Sequence, residues 1–168
     1  ITGQIASVIR QRMNIATDKL RTEALDTFEE LGLPHPKHEE FKYTPITRLL
    51  EKNFAFMPSD APGPLTDIQK FFIQGIDATV LVFIDGVYSK DHSKIVASEN
   101  EIKVLPLEDA LESKNEIAIK NFAKYINYKA DALAAWNTAA WNHGLFLQIP
   151  DKAIVENPIV VYHIANAT

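Results

Sequence analysis

His35 and His38 lie three residues apart and run directly into Glu39 and Glu40, which gathers two imidazoles and two carboxylates in one short stretch. Side chains of these types hold zinc and similar divalent cations, so a metal-binding module or small enzyme using His35 and His38 is one reading. The spacing is not the His-Glu-x-x-His of a zinc protease helix, and Pro34 and Pro36 break any helix that would align the rings. A solvated turn is the plainer reading, and no metal ligand is assigned. Two further histidines suggest structural roles. His143 precedes Gly144 at the end of a helical stretch, where a basic ring complements the helix dipole. His163 shares a strand side with Ile159 and Val161, as expected of a half-buried, hydrogen-bonded histidine.

Nucleophilic chemistry finds little support. Ser7, Ser59, Ser89, Ser93, Ser98 and Ser113 are present, but none sits in a Gly-x-Ser-x-Gly elbow. Six glycines form neither a dinucleotide-binding loop nor a phosphate-binding Gly-Lys-Ser/Thr loop. The sequence has no cysteine, which removes thiolate nucleophiles, disulfides and direct Cys ligation of an iron–sulfur cluster from these residues. Glu99 with Glu101, and Glu108 with Asp109 and Glu112, read as solvated surface. Glu39, Glu40, Lys42 and Tyr43 could dock a partner, though pinning their own connector is the favoured role. No catalytic residue is assigned, and the chain reads as a protein that is not an enzyme.

The formal net charge of −5, with no concentration of Lys and Arg, argues against nucleic acid as a partner. No apolar run approaches the roughly 20 residues that cross a bilayer. The opening Ile1-Thr2-Gly3-Gln4 lacks the basic and apolar regions of a secretory signal, and the chain reads as cytoplasmic.

The elements that must position these groups follow from periodicity. Ile5, Val8, Ile9, Met13, Ala16, Leu20, Ala24, Phe28 and Leu31 recur every three or four residues, which predicts one long helix. Thr2 can cap its start, Gly32 can adopt the left-handed conformation after its last turn, and Pro34 blocks continuation. A short helix is expected over residues 46–52, then an exposed loop through Met57 to Pro64. From Thr79 the pattern changes to strand. Thr79 to Ile84 and Val87 to Ser89 flank Asp85-Gly86, a pair suited to a two-residue hairpin turn. Residues 95–97 and 101–105 read as two more strands of an antiparallel patch.

Helices are expected over residues 115–128 and 131–142. Trp136 and Trp141, about 140° apart on the second, should face different layers, with Asn137 between them as a capping candidate. Strands follow at 145–150, 154–156 and 159–164. Successive strands with no closing element suggest the beginning of a larger β structure, and the chain reads as cut off after Thr168.

Three segments carry a family resemblance. The run Gly32-Leu33-Pro34-His35-Pro36-Lys37-His38-Glu39-Glu40-Phe41-Lys42-Tyr43-Thr44 resembles the SufD signature of a Gly-x-Pro segment, a Lys, then Glu-Glu-Trp-Lys/Arg-Tyr-Thr. Phe41 stands where Trp is usual. Leu81 to Ser89 resembles the family's strand, Asn-Gly turn and following aromatic, with Asp85 in place of Asn. Asn137-Thr138-Ala139, Gly144 to Pro150 and Glu156-Asn157-Pro158-Ile159 resemble the run into the family's β-helix, with Trp136 where Leu is common. The order is kept from about Gly32 to Ile164.

The resemblance implies a non-catalytic scaffold subunit of iron–sulfur cluster assembly. Such a subunit pairs with a SufB-type subunit and recruits a SufC-type ATPase; a homodimer is another arrangement. The related SufB type shares the β-helix approach, but Glu39 to Thr44 favours SufD. The Fe–S cluster belongs to the complex, and no cofactor is assigned to this segment. The family's functional residues lie in its β-helix and C-terminal regions, so no catalytic, cofactor-binding or metal residue carries over. The expected fold is α+β: an N-terminal helical domain with a small antiparallel sheet over residues 1–144, then the first strands of a right-handed parallel β-helix over 145–168.

Overall fold

The computed structural model describes residues 1–12, 19–35, 37–53 and 67–165. They fall into two compact units, residues 1–57 with 121–141, and residues 58–120 with 142–168. The protein is α+β, with small sheets.

In the first unit, helices α1 (Thr2–Arg12) and α2 (Lys19–Leu31) pack side by side. Ile5, Ala6 and Ile9 of α1 meet Ala24, Leu25 and Phe28 of α2 in one core. Arg10 pairs with Glu29, its Nη1 donating to Oε1 at 2.9 Å, and lies 3.7 Å from Asp26. One straight helix would hold residues 10 and 29 about 28 Å apart at 1.5 Å per residue. The expected single helix is therefore two helices, with residues 13–18 outside the described residues. Its stripe kept one period because both helices turn apolar faces to a common core.

Helix α3 (Ile46–Asn53) forms where expected, and the Met57–Pro64 loop lies outside the described residues. Gly32 has φ +65° and its N–H donates to the Phe28 carbonyl, closing α2 as anticipated.

The third wall of this core is a helix of Ala132–Ala140, which the sequence begins and ends sharply. Asp131 caps it, its Oδ1 accepting the Ala134 N–H at 2.6 Å. Ala134, Ala135 and Ala139 are buried, and their small side chains let α2 approach closely. The Trp136 ring lies 5.6 Å from that of Phe28. Trp141 is already past the helix, so the expected angle between the tryptophans on one cylinder does not apply. Its ring meets Phe122 edge-on at 5.0 Å, with the Arg21 guanidinium 5.5 Å from its centroid. Asn137 contributes its backbone carbonyl, which accepts the Trp141 N–H.

In the second unit, strand β1 (Thr79–Ile84) turns through Asp85 and Gly86 into β2 (Val87–Tyr88). Both turn residues have positive φ, +52° and +84°, as the Asp-Gly pair demands. Strand β3 (Lys103–Pro106) leads into α4 (Leu107–Glu112), followed by α5 (Glu116–Asn121) and by the Ala132–Ala140 helix, α6. Residues 95–97 are not a strand; Lys94 alone bridges Val80, exchanging two 2.7 Å bonds. The helix expected over 115–128 is only α5, and Ala123 beyond it has φ +54°.

The last strands are β4 (Leu145–Gln148) and β5 (Ile159–Ile164); residues 154–156 are not a strand. β4 pairs antiparallel with β3, and β5 pairs parallel with β1 from Thr79↔Ile159 to Ile84↔Ile164. Among the described residues these strands join two small sheets, ordered β2-β1-β5 and β3-β4. Ile68, Val82 and Ile84 form the core on one sheet face, with Phe72, Val80, Tyr162 and Ile164 packed around them.

Candidate functional site

The His35–His38 connector is a tight turn. The His38 N–H donates to the His35 carbonyl at 2.9 Å, and the His35 ring accepts the Lys37 N–H through Nδ1 at 3.1 Å. A single 3-10 turn, Glu39–Phe41, follows, and Thr47 Oγ1 ties the connector by donating to the Pro34 carbonyl at 2.6 Å. One nitrogen of His35 is thus occupied by backbone. Among the described residues no group of three or more His, Cys, Asp or Glu side chains converges to hold a metal ion. Glu39 and Glu40 are exposed, while Tyr43 projects into solvent with 86% exposure and the Lys42 ammonium 5.3 Å from its ring centre. The connector is pinned internally by Thr47 and leaves Tyr43 outward.

A second cluster was missed in the sequence. The Ser89 hydroxyl and His92 Nδ1 lie 2.7 Å apart. Ser93 Oγ accepts the Val82 N–H at 2.9 Å and donates to the Ser89 carbonyl at 2.7 Å. A hydroxyl beside an imidazole suggests a nucleophile and its base. Ser89, however, is only 4% exposed, and these bonds lock the loop after β2 onto β1. The available signal was local: a serine and a histidine three apart just after a hairpin.

Glu108 and His143 form a third pair. Glu108 stands in the first turn of α4, and its Oε1 lies 3.0 Å from His143 Nδ1. The Glu108 side chain is 31% exposed, so it is not the solvated surface residue expected, and its Oε2 is buried without a partner among the described residues. His143 belongs to no helix end, since α6 stops at Ala140. Next to the pair, the Leu107 N–H donates to the Gly144 carbonyl at 2.9 Å. A Cβ on Gly144 would come within 3.1 Å of the Leu107 side chain, which would have to shift by a few tenths of an ångström to admit it. Together the contacts clamp the start of β4 to the end of β3. A cavity of about 660 Å³ lies beside the clamp, walled by Val87, Ile95, Val104 and Leu105.

The most distinctive surface is the outer edge of β5. Thr79 donates to the Pro158 carbonyl and Asp85 to the Ile164 carbonyl, and in a parallel pair alternate residues bond the same neighbour. Val160, Tyr162 and Ile164 therefore bond β1, while Ile159, Val161 and His163 turn their backbone groups outward. No strand covers that side among the described residues. The strand Ile-Val-Val-Tyr-His-Ile carries no Lys, Arg, Asp, Glu or Pro. Edges that must stay unpaired are usually protected by such residues.

Both faces of β5 are held in place. The Tyr162 ring stacks on Phe72 at 4.7 Å and its hydroxyl accepts the Ile73 N–H at 2.8 Å. On the other face His163 is exposed and stacks on Phe83 at 4.8 Å and 16°, rather than sitting half-buried. Asn157, just before β5, donates to the Asp77 carbonyl at 3.1 Å. Glu101 adds a clip: its carboxylate accepts the Ser98 hydroxyl at 2.7 Å and N–H at 2.8 Å, and a further bond from the Glu156 backbone. These bonds hold the Glu101 carboxyl below its ordinary value, the Ser98 hydroxyl contributing most. The result is an edge strand without Asp, Glu, Lys, Arg or Pro, anchored through Tyr162 and His163, whose outward N–H and C=O groups pair with no other strand among the described residues.

No helix among the described residues is long and apolar enough to cross a membrane. A family model described as the SufBD protein N-terminal region matches residues 3–161. No curated protein gives a match.

Proposed function

The chain belongs to the SufB/SufD family of iron–sulfur cluster assembly scaffolds, and from that membership we propose that it is a SufD-type scaffold segment with no catalytic residues of its own. Its role is to start and hold in place a stack of parallel strands, the right-handed β-helix of that family. The observation that carries this reading is the β5 edge: in register with β1, fixed on both faces, and free of the charges and prolines that would stop a further strand. The run Glu39-Glu40-Phe41-Lys42-Tyr43-Thr44 supports SufD over SufB. The partners in this reading are a SufB-type subunit and a SufC-type ATPase in the cytoplasm. The iron–sulfur cluster is cargo of the complex, and this segment holds no cofactor.

The test is assembly of the full-length protein with both partners, in wild-type form and as Val161→Pro. Proline at 161 removes an outward N–H and spares the bonds to β1, since Val160 is already extended. Wild type should co-purify with both partners, and the variant should retain its hairpin fold by NMR but lose assembly. Failure of wild type to retain either partner would overturn the scaffold role. Normal assembly of the variant would remove the β5 edge as its basis.

A further inference from the structure

We draw no further inference here: the strongest candidate, the exposed apolar side of α3 around Leu49, carries nothing because nothing in the structure shows what covers it.

Discussion

Replacing Phe28 with alanine tests the first unit at its most enclosed point. The side chain is fully buried, touches the α1 and α6 walls of the core, and lies in ring contact with Trp136. Removing a buried phenylalanine costs about 3–5 kcal/mol through lost transfer energy and the cavity left behind. The tilted ring pair adds roughly 0.5–1.5 kcal/mol beyond area burial. The small alanines of α6 have no long side chains to fold into the gap, so the upper half of the range applies: about 4 kcal/mol. Both tryptophans belong to this unit, so urea unfolding followed by tryptophan fluorescence reports on it directly. With an m-value near 1.5 kcal/mol/M, the midpoint should fall by about 2.7 M. Phe28→Leu keeps most of the volume and should cost less than about 1.5 kcal/mol. A midpoint shift below about 0.7 M for Phe28→Ala, at unchanged m, would refute the account of one core shared by α1, α2 and α6.

Other positions give independent checks. Gly86→Ala forces a side chain into φ +84° and should destabilise the β1–β2 hairpin by about 1–2 kcal/mol, read as faster amide exchange at Ser89, whose N–H donates to the Val82 carbonyl across the hairpin. Asp131→Ala removes the α6 cap and should cost about 0.5–2 kcal/mol in thermal or urea unfolding; Asp131→Asn should recover most of it. Because the Glu101 carboxyl is depressed in the folded protein, its clip stabilises fully above the unfolded value near 4.3 and is lost as pH falls through the folded value. Carboxyl NMR should find Glu101 titrating below the ordinary glutamate value, with Ser98→Ala returning it toward that value; an unchanged titration would dismiss the clip.

What was legible in the sequence is what local chemistry decides. Asp85-Gly86 names its turn because few residues accept positive φ twice in succession, and Asp131 names its helix because a carboxylate can satisfy the free N–H groups of a first turn. Periodicity alone misled at α1 and α2, since a stripe records which faces are buried and is silent on whether the buried faces belong to one rod or two. The short α4 was overlooked because its acidic residues resemble open surface until Glu108 meets His143, 35 residues away. Strands were found at 145–148 and 159–164, but not their partners: side-chain alternation fixes a face, while pairing depends on distant backbone. His92 escaped notice because a lone histidine in a polar loop has no periodic signal.

The β1–β5 pairing also sets a timetable. Thr79 must wait for Ile159, 80 residues downstream, before its strand gains a parallel neighbour. At synthesis rates of about 5–20 residues per second, that delay is roughly 4–16 s, whereas the β1–β2 hairpin closes within about 10 μs. For that interval on the ribosome the nascent chain carries a preformed ribbon with one sticky side, the state in which a chaperone would be most useful and a crowded polysome most hazardous.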